Sequence, residues 1–402
     1  MAHKILFIAP LPPPVHGSSM VSKYIKESTL IQECFDCDFV NLSTSRTMDE
    51  IGKGGLKKIF RFLGSLLTLL GKLLTHRYDL CYIAITCHGM GFLKDAPFAL
   101  LCKLFGHKLL LHQHNKGMSR DCNRWPYRWL MPLVYRNATV MLLSWHLYED
   151  ISAVVKREQV IICPNGIPPL DNGQRLNVDV NANQQSETAI NQRPEGAINR
   201  AEHFNRSAAS LTGTEGAPRL LFLSNLIVSK GIYVLLEACQ RLKERGVAFH
   251  CDYVGGESKE VTGEQFRKAI AERGLTDCVT YHGPQYGADK DRAFRRADIF
   301  VQPTFDDCFP LTLVEAMQYR LPIVSTDVGA IPDIVTDGVN GLVCKQQDVD
   351  SLVVALSTLL ADPAMRQEMG ERGHARYLKE MTLEAFERSF AEALRSTVNR
   401  NR

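Results

Sequence analysis

Short apolar runs alternate with longer amphipathic stretches along the whole chain. In the first half the apolar runs are Lys4–Ala9, Cys37–Leu42, Tyr78–Ile85, Lys108–His112, Thr139–Leu143 and Val160–Cys163. In the second they are Arg219–Leu223, Phe249–Val254, Val279–His282, Ile299–Gln302, Ile323–Ser325 and Leu342–Cys344. Continuous apolar runs of this length suit strands buried on both faces. Helical patterns separate most of them. The β-α-β alternation, given twice, predicts an α/β protein with two parallel sheets, each covered by helices on both faces. Such sheets bind ligands at the carboxyl ends of their strands.

Between the halves, 168–218 is rich in Asn, Gln, Ser and Gly, with Phe204 as its one aromatic residue. It can bury little, which predicts a flexible insertion or linker. The expected domains are therefore 1–167 and 219–382. An amphipathic helix at about 383–402 is free to pack back on the first.

Composition changes this picture little. The chain has 402 residues, 45% hydrophobic and 23% charged, enough for two ordinary cores. No run reaches the roughly 20 apolar residues of a membrane span. The start MAHKILFIAPLPPPV has too short an apolar run for a secretory signal. A cytoplasmic location is expected. The 12 cysteines are scattered, and the pair Cys34/Cys37 has no second pair at zinc spacing. No metal site is expected, although His112 and His114 stand together at a strand end. Charge is more informative. Residues 1–170 hold 20 Lys/Arg against 12 Asp/Glu, a net of +8, while 218–402 hold 23 against 26, a net of −3. The first half is thus expected to meet something anionic.

Candidate chemistry gathers at predicted strand ends. The segment FDDCFPLTLVEAM, 305–317, follows the strand ending at Gln302 and Pro303. Pro310 suits the first position of a helix. Asp307 then lies on a loop and Glu315 about a turn and a half inside the helix, so both can accept hydrogen bonds from one extended, hydroxyl-bearing ligand. On spacing alone, a solvated loop acid and an unrelated helical Glu are the better fit. Lys230 follows another strand at the start of a helix. A cation there opposes the helix dipole, but it is well placed to join the dipole in holding a phosphate. Val328, Gly329, Ala330 and Ile331 form a glycine loop that can offer backbone N–H groups to an anion. Gly17 and Ser18 open a helix after the first strand, as a phosphate cradle or a plain N-cap.

Taken in order, FLSNLIVSKG, YHGP, ADIFVQPTFDDCFPLTLVEAM, LPIVSTDVGAIPDIV and DGVNGLVC resemble the family 4 retaining glycosyltransferases of the GT-B fold. IICPNGI and the HGSS loop of the first half fit more loosely. The resemblance implies two Rossmann-like domains facing each other across a cleft. It implies that Glu315 holds the ribose of a nucleotide-sugar donor, UDP- or GDP-linked. Asp307 holds the donor sugar and Lys230 the diphosphate. The Val328–Ile331 loop, Leu311 and Thr312 line the donor. His114 lies near the transferred sugar, and Gly17 and Ser18 face the diphosphate. No cofactor beyond the nucleotide sugar, no metal and no nucleic acid is implied. The sequence departs from the family pattern twice. Asp307 stands where the family has Glu, and Asn225 stands where a second diphosphate cation is usual. A nucleotide-sugar 2-epimerase or an inactive donor-binding subunit are the competing functions.

For the acceptor, the stretch 53–74 is a basic amphipathic helix with Leu56, Ile59, Phe60, Leu63, Leu66, Leu67, Leu70 and Leu74 at helical spacing. Arg124-Trp125-Pro126-Tyr127-Arg128-Trp129 adds a basic aromatic cluster. The stripe either packs on the first sheet or docks on an anionic membrane face. The second outcome points to peripheral membrane binding and a lipid-linked saccharide acceptor in polysaccharide or lipopolysaccharide assembly.

Overall fold

A computed structural model of the chain describes residues 2–13, 17–43, 55–170 and 216–400. Among these residues twelve strands form two six-stranded sheets, and every pairing between them is parallel. The first comprises β1 (His3–Ala9), β2 (Phe35–Asn41), β3 (Leu80–Ile85), β4 (Leu109–Gln113), β5 (Thr139–Leu142) and β6 (Val160–Ile162), in the order β2-β1-β3-β4-β5-β6. The second comprises β7 (Arg219–Leu223), β8 (His250–Val254), β9 (Val279–Gly283), β10 (Ile299–Gln302), β11 (Ile323–Ser325) and β12 (Gly341–Val343), in the order β12-β11-β10-β7-β8-β9. The central strands β1, β3, β7 and β10 are almost wholly buried, as two-sided helical cover requires. The fold expected from the alternation is therefore present. The low-complexity stretch lies outside the described residues from 171 to 215.

Chain order reverses between β1 and β3 in the first sheet and between β7 and β10 in the second. Ligand crevices form at such reversals, and here the loops after β4, β7 and β10 meet. Cys87, Met118 and Leu147 of the first sheet's loops share one hydrophobic cluster with Cys308, Phe309, Val328 and Ile331 of the second. Two ion pairs also span the cleft: Lys116 Nζ to Asp306 Oδ1 at 3.2 Å, and His146 Nε2 to Asp333 Oδ1 at 3.4 Å.

The last helix, Leu383–Asn399, belongs physically to the first sheet. Its Phe390 is fully buried against Phe7, Tyr82 and His112. Lys108 Nζ donates to the carbonyls of Val398 and Arg400 at its end. The chain therefore crosses between the domains twice, and the two crossings run side by side. Ile167 and Thr382 form a parallel bridge, and Ile167 N–H donates to the Met381 carbonyl at 3.1 Å. The contact explains Gly166 of the IICPNGI motif, because a Cβ there would stand 2.2 Å from the Thr382 carbonyl oxygen.

The helix Leu56–Thr75 departs from one expectation. Phe62, Leu66, Leu69 and Leu73 form its sheet-facing row. Of the stripe read from the sequence, Leu66 joins that row, whereas Leu56, Ile59, Phe60, Leu63, Leu67 and Leu74 point to solvent. The apolar arc is broad, with Lys57, Lys58, Arg61, Ser65, Thr68 and Lys72 on the opposite face, and the sheet takes only one edge of that arc.

Candidate functional site

The site is built from loops that leave the carboxyl ends of β7 and β10. β10 reads Ile-Phe-Val-Gln, so its buried apolar run ends on a polar residue. Gln302 Nε2 donates to Asp307 Oδ2 at 3.2 Å, and its Oε1 accepts from Thr312 Oγ1 at 2.7 Å. Asp307 Oδ1 also accepts from the Cys308 N–H at 2.9 Å. The loop carboxylate is thus tied to both the strand it follows and the helix it precedes.

That helix is Leu311–Gln318, with Pro310 just outside it as the N-cap residue rather than as its first residue. It carries Leu311, Thr312 and Glu315 on half-buried positions. Lys290, on the helix Gly287–Arg296, lies 2.7 Å from the Glu315 carboxylate. Tyr24, from the first domain, faces the same carboxylate. Burial, and then the Glu315 charge, push its phenol up to about 12.

Lys230 ends a short 3-10 turn, Val228–Lys230, one residue before the helix Ile232–Glu244. Its Nζ is 2.6 Å from Asp307 Oδ2 and donates to the Asp306 carbonyl at 3.0 Å. The two side chains read from separate motifs therefore form one pair, and both are mostly buried. Asn225 lies on the loop after β7. Its Oδ1 accepts from the Gly256 N–H at 3.1 Å, so it braces the neighbouring loop.

The glycine loop needs its glycine. Gly329 has φ +60°, and a Cβ there would lie 2.4 Å from the Asp307 carbonyl oxygen. The loop is therefore pressed against the residue it helps to position. One expectation is corrected here. The Ala330 N–H donates to the Cys308 carbonyl at 2.8 Å and the Ile331 N–H to the Val328 carbonyl at 3.2 Å. Both donors are engaged within the protein, and both residues are buried. The Val328 and Gly329 N–H groups take part in neither bond.

From the first domain, the end of β4 brings in His112, Gln113 and His114. His112 is fully buried. Its Nδ1 is 2.8 Å from the Tyr82 hydroxyl, and its ring lies 4.0 Å from that of His114, tilted by 41°. Burial, and then His114, hold the His112 imidazole well below its ordinary range, so it stays neutral. His114 is half-buried at the cleft, beside Lys116. Gly17 and Ser18 begin the helix Gly17–Glu27, after three residues, 14–16, outside the described set.

The structure thus gathers Asp307, Lys230 and Thr312 in one bonded group, with Glu315 on the same helix and Lys116, next to His114, reaching in from across the cleft. Sequence reasoning missed Gln302, Asp306, Lys116 and Lys290. Gln302 had a signal, a polar residue closing an apolar strand. Lys290 had none, being one basic residue among several on a polar helix. Among the described residues no group of three or more His, Cys, Asp or Glu is arranged to hold a metal ion.

Comparisons with known proteins bear on the fold that carries this site. Residues 205–376 match the family model described as glycosyl transferases group 1. The chain is 32% identical over 147 residues to the amylovoran biosynthesis glycosyltransferase AmsK of Erwinia amylovora, covering 35% of each chain. It is 30% identical over 166 residues to the D-inositol 3-phosphate glycosyltransferase of Arthrobacter sp. (strain FB24), covering 41% of this chain and 39% of the other. The matches span little more than a third of these relatives' length. Among solved structures, the Anabaena protein Alr3699/HepE in complex with UDP superposes with a TM-score of 0.68 at 17% identity, over 98% of this chain and 100% of that one.

Proposed function

We propose that this chain, a protein of GT-B fold whose residues 205–376 match the group 1 glycosyltransferases, is a retaining glycosyltransferase acting on a nucleotide-diphosphate sugar. The observation that carries the reading is the bonded group Lys230–Asp307–Gln302–Thr312, with the Lys290–Glu315 pair on the same helix. It offers an ammonium for a diphosphate and two carboxylates for hydroxyls. Every member stands at the carboxyl end of a strand or on a helix leaving it.

In this reading Glu315 accepts from the ribose hydroxyls and Asp307 from hydroxyls of a hexose-type sugar. The sugar–phosphate bond breaks, and the electron pair goes to the diphosphate. Lys230 stabilises that charge as it develops. The acceptor hydroxyl attacks from the same face, and its proton passes to a phosphate oxygen of the leaving group. No protein base is assigned. Positive charge at the diphosphate comes from side chains, and the proposal includes no metal.

The proposed acceptor is a lipid-linked saccharide, in the assembly of a surface polysaccharide or glycolipid. The support is the outward apolar face. Leu56, Ile59, Phe60, Leu63 and Leu67 are exposed on a helix that carries Lys57, Lys58 and Arg61 and no acid. Met90, Trp125 and Trp129, on the neighbouring segments 89–104 and 125–135, are exposed as well. A basic, apolar face of this kind suits peripheral binding to an anionic membrane. Among the described residues no helix is long and apolar enough to cross one.

The test has two arms. Incubation with a panel of UDP- and GDP-sugars and a lipid-linked saccharide should give a glycosylated acceptor with retained anomeric configuration. Isomerised donor without acceptor would instead show an epimerase. Co-sedimentation with phosphatidylglycerol vesicles should be salt-sensitive. It should weaken by very roughly 3 kcal/mol when Lys57, Lys58 and Arg61 become Gln, at about 1 kcal/mol per basic residue. A wild type that ignores such vesicles at low salt removes the membrane part of the proposal.

A further inference from the structure

Lys116 reaches across the cleft from a rigid base. Asp150 accepts from the N–H groups of Gly117 at 2.7 Å, Met118 at 3.0 Å and Ser119 at 3.3 Å. Asn115 Oδ1 accepts from the Cys87 N–H at 3.0 Å. The loop after β4 is therefore held on both sides of Lys116. Its ammonium ends 3.2 Å from Asp306 Oδ1 in the other domain.

Asp306 is bonded from two directions. Its carboxylate faces Lys116, and its carbonyl accepts from Lys230 Nζ at 3.0 Å. Two ammonium groups, one from each domain, thus converge on one residue. Their charges are balanced differently. Lys230 is matched by Asp307 at 2.6 Å, in a pair that is mostly buried. Lys290 is matched by Glu315. The Asp306 side chain is 47% exposed and that of Lys116 26%, and an ion pair open to solvent on one side is weakened by it. Lys116 can leave it cheaply for a stronger anion. A donor diphosphate is ionised on both phosphates, and Lys230 alone, already paired, leaves most of that charge unmatched.

We propose that Lys116 is a phosphate-binding residue for the donor diphosphate, supplied across the cleft by the first domain and held on Asp306 until the donor arrives. The inference rests on the nucleotide-sugar reading above. It makes donor binding a contact between the two domains, because the anion seated on the second is neutralised by a cation of the first.

Calorimetric titration of UDP and GDP, with uridine and guanosine as phosphate-free controls, tests it on the wild type, Lys116→Met, Lys116→Arg and Asp306→Asn, each checked for folding by circular dichroism. Lys116→Met should weaken the preferred diphosphate by about tenfold or more, as loss of a charged hydrogen bond does, and leave the nucleoside within about twofold. Lys116→Arg should keep most of the affinity. Asp306→Asn should tighten the diphosphate, because it releases the ammonium. A wild type that binds a diphosphate and a Lys116→Met that binds it equally well would overturn the inference alone. If transfer then falls all the same, the ammonium serves the acceptor instead. Equal losses for nucleoside and diphosphate would show a structural role and also overturn it. A wild type that binds neither diphosphate would remove the nucleotide-sugar reading and this inference together. If Lys116→Met does not fold, Asp306→Asn decides: no tightening refutes the proposal.

Discussion

Replacing Asp307 by Asn should tighten the binding of a free nucleoside diphosphate while abolishing transfer. The reasoning starts from the 2.6 Å contact between Lys230 Nζ and Asp307 Oδ2. A phosphate oxygen on the far side of the ammonium, one charged hydrogen bond further on, stands roughly 6 Å from the carboxylate. Two like charges at that distance repel by about 2.8 kcal/mol at an effective dielectric constant of 20, and by about 0.7 kcal/mol in bulk water. Lys230 is 20% and Asp307 14% exposed, and both border an open cleft, so a value nearer the lower figure applies. About 1 kcal/mol corresponds to roughly fivefold in affinity. The Asn retains an oxygen that can accept from Cys308, which preserves the loop. Transfer should still fail, because Asp307 is assigned to the sugar that moves. Calorimetry with UDP and GDP reads the first effect, and product formation from the full donor reads the second. Diphosphate binding more than about twofold weaker than wild type would refute the reasoning. It would mean that Asp307 chiefly holds Lys230 in position.

Three further outcomes are expected. Glu315→Gln should weaken free diphosphate binding by about 10- to 150-fold, the range for a hydrogen bond to a charged group, with the loss shared by the bare nucleoside. Phe390→Ala should cost about 3–5 kcal/mol in urea unfolding, because the ring is fully buried against Phe7, Tyr82 and Phe386; a small change would show that the last helix is dispensable to the first core. Asp150→Asn should cost ~1–2 kcal/mol at pH 7, the lower part of the charged range because the group is partly exposed. Burial opposes ionisation of Asp150, but hydrogen bonds from Ser119, Gly117 and Met118 outweigh it and hold the carboxyl below its ordinary range. Its contribution is therefore complete above the unfolded-state value, near 3.9, and is lost as pH falls through the lower folded value. The stability gap between wild type and variant should close over that acidic interval.

The fold was legible because parallel sheets write themselves as apolar runs. Observed strands such as β7, β10 and β11 begin and end where those runs do. Where a strand meets a polar flank the edges shift, as at β2, which starts two residues early on Phe35. The helix Leu56–Thr75 was legible as a helix but not in orientation. An apolar arc half the helix wide does not say which of its edges meets the sheet, and it is the edge with Phe62, Leu66, Leu69 and Leu73 that packs inward. Asp307, Lys230 and Glu315 stood out through the ordered motifs that carry the family resemblance, since spacing alone fits an ordinary loop acid and helical Glu. Lys116 and Lys290 did not, since they come from other segments of the chain and are ordinary lysines until the fold sets them against Asp306 and Glu315. That Ala330 and Ile331 spend their N–H groups on Cys308 and Val328 is a matter of loop geometry, which residue type alone does not fix.

The placement of the last helix has a consequence for synthesis on the ribosome. The face of β1, β3 and β4 that carries Phe7 and Tyr82 is closed by Phe390, more than two hundred positions downstream. At about 5–20 residues per second, roughly 14–55 s separate the end of β4 at Gln113 from the arrival of Phe390. Throughout that interval the nascent first half covers that face only in part, with Val21, Ile25 and Ile31. The first domain to be made is therefore the last to be completed. A release factor that acts early, or a ribosome that stalls in the second half, leaves a product that is sticky rather than merely short.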